Sequence, residues 1–270
     1  MELKTPKDLA IKARMMGKKT ISYSQLNMYK GCPLQWKLAY LDGIKEFTPN
    51  MFLVFGTAMH EVLQTYLSIM YSESIVNADK LDLHKMLYDT MSSEYASRVK
   101  KNTELVGIEM PILCDVENST KLMIMGFADL VIKEGDRLKI IDIKTSIFGW
   151  RPKKKKQEGD QLRLYKRYFS KQYGVDESLI DVEYFIVKRK LYDNVDFPQR
   201  RIQVYAPAAG KPSMNKTTKL LSEFIGNAFT PDGKKNKAGH YPAYRTGCTY
   251  CPFKKRHDLC NPKDRITPCA

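Results

Sequence analysis

The sequence predicts an α/β fold, in which helices surround a central mixed β-sheet. Three observations lead to this fold class. The first quarter of the 270-residue chain has helical apolar spacing, the middle has two β-rich segments joined by a short turn, and helical and extended patterns follow one another from residue 158 to residue 229. With 43% hydrophobic residues the chain can bury a sizeable core, and we expect one large domain.

The N-terminal part is predicted to be helical because caps, helix breakers and apolar periodicity follow in order. Ser22 or Ser24 can cap the first helix, and Gly31 with Pro33 ends it. The predicted helices lie at about 22–29, 35–40, 55–71 and 83–100.

The middle of the chain predicts a β-hairpin at about 121–145. The segments KLMIMGFADLVI and RLKIIDIKTS are separated by Lys-Glu-Gly-Asp at 133–136, which is a hairpin signal. A basic stretch, RPKKKK at 151–156, then leads into the next predicted helix. The remaining predicted elements are a helix at 158–173, strands at 181–189 and 199–205, and a helix at 214–229.

The charge balance favours a polyanionic partner. Forty-five Lys and Arg against 30 Asp and Glu give a formal charge of +15, which favours nucleic acid before a membrane surface. No stretch approaches the roughly 18 apolar residues of a membrane span, and the N-terminus lacks a signal-peptide core. We expect a soluble protein in the cytoplasm of a bacterium or phage-infected cell, or in the host nucleus or cytoplasm if the source is viral.

Two carboxylates of the hairpin are predicted to face each other. If the turn is Gly135-Asp136, then Asp129 lies opposite Asp142 with Cβ atoms roughly 5 Å apart, and Lys144 points to the same face as Asp142. Such carboxylates repel each other unless a cation lies between them, and oxygen ligands suit Mg²⁺ or Mn²⁺. A metal beside an ammonium favours phosphodiester hydrolysis. The alternative is that both are ordinary surface-facing strand residues.

The hairpin resembles the signature of a known nuclease superfamily. Asp129 followed by the IDIKT segment at 141–145 resembles the PD-(D/E)xK signature in its D…DxK form. The stretch GTAMHEVL at 56–63 resembles the helical motif of the RecB-like branch, and Gln161 with Tyr165 matches its QxxxY motif. The spacing of four places Gln161 and Tyr165 on one helix face.

This resemblance implies a restriction-endonuclease-like core with a site for Mg²⁺ or Mn²⁺. The implied metal ligands are His60, Asp129, Asp142 and the backbone carbonyl of Ile143. It further implies that Lys144 is catalytic and that Gln161 and Tyr165 line the active site and the DNA path. Family members can add an acidic residue before the hairpin, for which Glu109 is the candidate.

The cysteines predict a second metal centre. Cys248-x2-Cys251 followed by Cys260 is a ligand-like cluster, because a tight CxxC turn lets two thiolates point at one centre. The segment YKGCPLQWKLAY around Cys32 resembles the N-terminal cysteine motif of AddB and of the CRISPR-adaptation nucleases. These proteins bind a cubane cluster through one N-terminal and three C-terminal cysteines.

The resemblance therefore implies a 4Fe-4S cluster on Cys32, Cys248, Cys251 and Cys260. Residues 1–229 would form the nuclease core, and residues 230–270 would close the cluster, as one composite domain. Zinc at the same thiolates, with Cys269 or His257 as a substitute ligand, is an alternative, and no metal at all is a third. Cys114 is expected to pack in a strand.

A candidate DNA path follows the catalytic strand. The basic residues Arg151, Lys153, Lys154, Lys155 and Lys156 precede the QxxxY helix and could hold phosphates, or form a solvated loop. Lys254, Lys255 and Arg256 could extend this path. Trp150 is a candidate surface for stacking single-stranded bases.

Together these features predict a Mg²⁺- or Mn²⁺-dependent DNA exonuclease that acts on ends, preferably single-stranded, in recombination, repair or replication, with room for an endonuclease side activity. No GxxxxGK[ST] motif is present, so unwinding would come from a helicase or another recombination or replication partner. Two alternatives stay open: a catalytically silent DNA-binding or assembly factor on the same fold, and a zinc-stabilised RNA-binding module.

Overall fold

A computed structural model of the chain describes residues 3, 5–46, 56–63, 65, 103–193, 196 and 198–267. The predicted helix at 83–100 lies outside these residues, as does most of the second half of the helix predicted at 55–71. No helix in the described part of the chain is long and apolar enough to cross a membrane.

The described residues form seven helices and eight strands. The helices are α1 (Pro6–Met15), α2 (Tyr23–Gly31), α3 (Pro33–Trp36), α4 (56–63), α5 (Pro152–Gln157), α6 (Asp160–Tyr173) and α7 (Lys211–Ala228). The strands are β1 (Lys19–Ser22), β2 (Thr103–Asp115), β3 (Leu122–Glu134), β4 (Arg137–Ser146), β5 (Ile180–Lys188), β6 (Ile202–Tyr205), β7 (Ala243–Tyr244) and β8 (Arg265–Ile266). A π-helical turn follows α3 at Lys37–Leu41, and 3₁₀ turns lie at Glu177–Leu179, Arg245–Tyr250, Pro252–Lys255 and Pro262–Asp264.

The chain divides into two compact units, each built from separate segments. Unit 1 comprises Met1–Pro49, Leu113–Gly126 and Asn215–Ala270, and unit 2 comprises Asn50–Ile112 and Phe127–Met214.

Unit 2 contains the predicted hairpin. Strands β3 and β4 pair antiparallel from Leu130↔Ile141 to Glu134↔Arg137, around the turn Gly135-Asp136. Gly135 has φ +61°, a backbone conformation that glycine adopts without a steric penalty. The predicted register is therefore confirmed. Strand β4 continues into parallel pairing with β5, and β5 pairs antiparallel with β6, so this sheet is mixed.

Side-chain alternation gives β4 two chemically different faces. Ile141 and Ile143 point into an apolar core together with Leu130, Phe185 and Leu63 of α4. The residues between and after these isoleucines, Asp142 and Lys144, belong to the opposite face of the strand. The core therefore fixes the register that brings the polar residues to one side.

Unit 1 is organised around Trp36, which is fully buried. Its ring contacts the rings of Tyr29, Tyr40, Phe224, Phe229 and Tyr241, with centroid separations of 5.4 to 6.1 Å. The N-terminal helices and the segment around residues 224–241 thus share one aromatic core. Strand β1 pairs parallel with the first part of β3, from Lys19↔Leu122 to Ser22↔Met125.

Several elements were not predicted, among them α1, β1, β2, β7 and β8. In strand β2, Gly107 and Pro111 interrupt the apolar pattern, and among the described residues it pairs with β3 alone. The basic stretch at 151–156, for which a solvated loop was one of the two interpretations, forms helix α5. Pro152 occupies the first turn, where no backbone N–H is needed, and the lysines that follow favour a helix.

Replacing Trp36 with alanine is expected to destabilise the protein by about 3–5 kcal/mol, because a large buried ring leaves a cavity that its neighbours cannot fill. Chemical unfolding monitored by circular dichroism measures this loss. Leu179→Ala is the control, because Leu179 is 40% exposed and its loss should change stability by less than about 0.5 kcal/mol. Equal effects of the two substitutions would contradict the role of Trp36.

Candidate active site

His60 of α4 lies against the strand ends that carry the predicted signature. Its Nε2 is 2.6 Å from the Ile143 carbonyl oxygen, and its Nδ1 is 3.5 Å from Oδ2 of Asp129. The backbone N–H of Ile143 donates to the same Asp129 oxygen at 2.7 Å. Three of the predicted metal ligands therefore meet at one point.

Glu109 of β2 joins this group. Ligand atoms of His60, Glu109 and Asp129 all lie within 4.8 Å of one another. The backbone of Glu109 has φ +49°, which is uncommon for a residue other than glycine and costs on the order of 1–3 kcal/mol. Glu109, the candidate acidic residue before the hairpin, thus brings its carboxylate to this group on a strained backbone.

Asp142 is the most deeply buried carboxylate of the site, with 1% of its surface exposed. The Lys144 ammonium forms an ion pair with Asp142 Oδ2 at 2.5 Å, whereas no described residue donates a hydrogen bond to Oδ1. Burying a carboxylate oxygen without a partner is costly. Asp142 Oδ1 is therefore available to a further cationic partner.

The QxxxY residues of α6 face these carboxylates. Gln161 Nε2 donates to the Tyr165 hydroxyl at 3.3 Å. Tyr165 is buried, and its pKa is raised by burial, then by the nearby charges of Asp142 and Asp129. The phenol consequently remains protonated near the acidic group.

The electrostatics show mutual repulsion among the carboxylates. Burial, followed by the charge of Asp142, raises the pKa of Asp129 well above its usual range. Burial alone would lower the pKa of Lys144, but Asp142 and Asp129 outweigh it and the pKa is raised. Glu158, which the sequence did not indicate, raises the Lys144 pKa further. Burial and then Lys144 lower the pKa of His60, which favours the neutral imidazole that binds metals.

The donor set fits a hard divalent cation. It offers carboxylates, a backbone carbonyl and a neutral imidazole, and oxygen ligands predominate, as Mg²⁺ and Mn²⁺ require. A bound cation would add positive charge to a group in which burial and the charge of Asp142 raise the pKa of Asp129.

Comparison with known proteins identifies the family. A family model of the PD-(D/E)XK nuclease superfamily matches residues 20–256. The chain belongs to this superfamily. It is also similar to the solved structure named "Crystal structure of SSO0001", with 18% identity and a TM-score of 0.40 over 96% of each chain. No curated protein matches the sequence.

This PD-(D/E)XK chain also brings its predicted cysteine ligands together. The Tyr244 N–H donates to Cys32 Sγ at 3.3 Å, and Cys248 Sγ lies 3.6 Å from the Tyr244 carbonyl oxygen. The pKa of the Cys251 thiol is raised by burial, and to a smaller extent by Cys32, Cys260 and Cys248. The four cysteines named by the sequence thus lie near one another in unit 1.

Close packing at Gly247 holds this arrangement together. A Cβ at this position would lie 2.8 Å from Cys32 Cβ and 2.9 Å from the Gly31 carbonyl oxygen, so no larger residue fits without a shift. Cys114 is buried in β2, as predicted, and His257 is exposed. Cys269 lies outside the described residues.

Two lysines of the basic tract contact aromatic rings, although Lys154 stays exposed. Lys154 Nζ lies 5.2 Å from the centre of the Trp150 ring, and Lys155 Nζ lies 5.4 Å from that of Tyr205, which are cation–π contacts. Arg151 and Lys153 are exposed, whereas the side chain of Lys156 is outside the described part. The prediction that Trp150 offers a stacking surface is wrong, because its ring is buried against Tyr184 at 4.8 Å.

Asp129→Asn is expected to stabilise the metal-free protein at neutral pH. Because the folded-state pKa of Asp129 is raised above about 3.9, its ionised form is less stable in the folded chain than in the unfolded one. This penalty is absent below the unfolded pKa and develops as pH rises through the folded value. Melting temperatures in EDTA should therefore fall with rising pH for the wild type relative to Asp129→Asn.

Asp181→Asn provides a control of opposite sign. Arg137 donates hydrogen bonds of 2.7 and 2.6 Å to Asp181 and lowers its pKa. The ionised Asp181 therefore contributes stability above its unfolded pKa and loses it as pH falls through the lowered value. Parallel pH curves for the wild type and Asp129→Asn would contradict the prediction for Asp129.

Proposed function

We propose that this protein is a Mg²⁺- or Mn²⁺-dependent DNA exonuclease that hydrolyses phosphodiester bonds at ends, preferably of single strands. The observation that carries the proposal is the ion pair of buried Asp142 with half-buried Lys144, together with the group of His60, Glu109 and Asp129. Paired carboxylates with an adjacent ammonium are the donor set that hydrolysis of a phosphodiester needs.

The metal site would use groups from three elements. The proposed ligands are His60, Glu109, Asp129, Asp142 and the Ile143 carbonyl oxygen. When bound, Mg²⁺ or Mn²⁺ supplies positive charge that activates water and stabilises the negative charge developing on phosphorus. The hydrogen bond from the Ile143 N–H orients Asp129, and the core packing of Ile143 fixes that backbone.

Lys144 acts as a positively charged group in this proposal. In the metal-free protein, burial lowers the pKa of Lys144, but Asp142 and Asp129 outweigh burial and raise it, which favours the ammonium form. An ammonium donates hydrogen bonds to the attacking water or to a phosphate oxygen, and we assign Lys144 to positioning and charge stabilisation. Tyr165, whose pKa is raised by burial and by Asp142, provides a second donor that is neutral, and Gln161 donates to its hydroxyl.

The substrate proposed is DNA. The net charge of +15 favours a polyanion, and Arg151 and Lys153 expose positive charge directly after the catalytic strand. We further propose that the protein acts on recombination, repair or replication intermediates in the cytoplasm, with a helicase as partner. This part of the proposal rests on the resemblance to RecB-like nucleases.

Lys144→Ala is expected to lower the rate of metal-dependent DNA cleavage at least about 100-fold, the usual loss when one charge-stabilising donor is removed. Protein purified anaerobically is assayed with Mg²⁺ or Mn²⁺ on end-labelled single-stranded and duplex DNA. Lys139→Ala is the matched control, because Lys139 lies on the same strand and pairs with exposed Glu134 at 2.7 Å.

A circular single strand separates the modes of attack. An exonuclease degrades the linear strand and spares the circle, whereas cleavage of the circle would contradict the proposed requirement for ends. A folded wild type that binds DNA but cleaves no substrate with either metal would favour the silent assembly factor. Preference for RNA would favour the RNA-binding module.

We also propose that Cys32, Cys248, Cys251 and Cys260 bind a 4Fe-4S cluster with a structural role. Their convergence in unit 1 supports a common centre. A single zinc ion, with Zn–S distances of about 2.3 Å, would bring the sulfurs within about 4 Å of one another. A 4Fe-4S cluster, in which each thiolate binds a different iron atom, would hold the four sulfurs farther apart.

Cys248→Ser is expected to abolish the brown colour and iron content of the anaerobically purified protein and to lower its melting temperature. Cys114→Ser is the control, because Cys114 is a buried cysteine of β2 that is not among the proposed ligands. Absorption spectra and metal analysis measure both. A colourless wild type with one zinc per chain would show that the cysteines bind zinc and not a cluster. A stable wild type without metal would exclude both the cluster and the zinc ion.

A further inference from the structure

Two aromatic rings lie stacked on the surface of unit 2. The rings of Phe148 and Tyr192 have centroids 4.8 Å apart and planes only 8° from parallel. Phe148 is 40% exposed and Tyr192 is 49% exposed. Exposed rings of this kind keep apolar faces in contact with water, and contiguous exposed apolar surface commonly marks a binding site.

The turn that carries Phe148 is fixed by hydrogen bonds. Ser146 Oγ donates to the Gly149 carbonyl at 3.0 Å. Gln203 accepts from the Trp150 N–H at 2.6 Å and donates to the Trp150 carbonyl at 3.2 Å, so one amide holds both backbone groups of this residue. Gly149 has φ +93°, and a Cβ there would lie 2.8 Å from Gln203 Oε1.

The segment that carries Tyr192 is held in the same way. Gln199 accepts from the Tyr192 N–H at 2.6 Å and donates to the Tyr192 carbonyl at 2.6 Å. Each exposed ring is thus held by a segment that a glutamine clamps through two backbone groups. Rings fixed before a ligand arrives lose little conformational entropy on binding.

The segment that carries Tyr192 has an excess of basic residues. The segment 188–201 contains five basic residues and two acidic ones. Backbone hydrogen bonds from Arg189 to Ser146 and from Lys190 to Ile147, both 2.8 Å, tie the basic residues beside the strand that leads to Phe148. A polyanion with flat apolar groups, which is a description of unpaired nucleic acid, matches both the charge and the rings.

The pair also lies near the proposed catalytic groups along the chain. Phe148 follows Lys144 by four residues, and an extended chain of that length spans at most about 13 Å. This corresponds to about four base steps at 3.4 Å per step. A strand whose phosphate lies at Lys144 would therefore have a base within reach of the pair.

We propose that Phe148 and Tyr192 form a stacking platform for an unpaired base of the DNA strand that enters the active site, an inference that rests on the proposed nuclease function. In a duplex each base face is already covered by its neighbours, so the platform discriminates in favour of single strands. It holds any base, because every base has an aromatic face.

Equilibrium binding tests the platform without any cleavage. A fluorescent single-stranded oligonucleotide is titrated with the full-length, anaerobically purified protein in EDTA, followed by fluorescence anisotropy. Phe148→Ala and Tyr192→Ala should each weaken binding by about 5- to 100-fold, the effect of losing one base stack. Phe148→Trp should retain the wild-type affinity. The wild type should bind a strand of the same length built from abasic residues more weakly than it binds the intact strand. The alanine variants should bind this abasic strand as well as the wild type does.

Tyr173→Ala is the matched control. Tyr173 is 38% exposed, and it lies twelve residues after Gln161 on α6, about 18 Å along the helix axis. Melting temperatures establish that each variant is folded, and Tyr192→Ala replaces Phe148→Ala if the latter unfolds.

The outcomes separate this inference from the proposed function. Wild-type affinity in both folded alanine variants, or an equal loss on intact and abasic strands, would overturn the platform even if the protein cleaves DNA. The nuclease proposal would be overturned, and the platform supported, by two results together. The wild type would cleave no substrate, and Phe148→Ala would bind intact strands more weakly than the wild type does but abasic strands equally well.

Discussion

The arrangement of the candidate active site depends on one buried carboxylate. Asp142 lies in the middle of a strand whose flanking residues, Ile141 and Ile143, are packed in the core, and no described residue donates a hydrogen bond to its Oδ1. The strand cannot turn this carboxylate to water without exposing the isoleucines. Lys144 offsets part of the charge, and the surrounding groups His60, Asp129 and Tyr165 each shift their pKa in response to burial and to this cluster of charges.

The sequence allowed prediction of those parts of the fold in which local pattern and tertiary packing agree. The turn at Gly135-Asp136 determined the register of the hairpin, and this register followed from counting alone. The spacing of Gln161 and Tyr165 likewise placed both on one face of α6. Such features depend on short-range geometry, which a single sequence contains.

Other features depend on contacts that a sequence does not show. Pro152 begins helix α5 in a basic stretch that the sequence left open as a loop. The ring of Trp150 is buried against Tyr184, which lies on a strand distant along the chain. Glu109 could be named only as a candidate, because its approach to His60 requires a backbone conformation that residues other than glycine rarely adopt. The exposed pair of Phe148 and Tyr192 had no signal, since forty-four positions separate its members.

The discontinuity of unit 1 has a consequence for synthesis on the ribosome. Three of the rings that bury Trp36, those of Phe224, Phe229 and Tyr241, are translated about two hundred residues after it. The backbone hydrogen bond from the Leu34 N–H to the Pro242 carbonyl joins equally distant segments. Contacts of such long sequence separation slow folding. The nascent chain therefore exposes part of the Trp36 ring until residues 224–241 have emerged, and chaperones have access to α2 and α3 during that time.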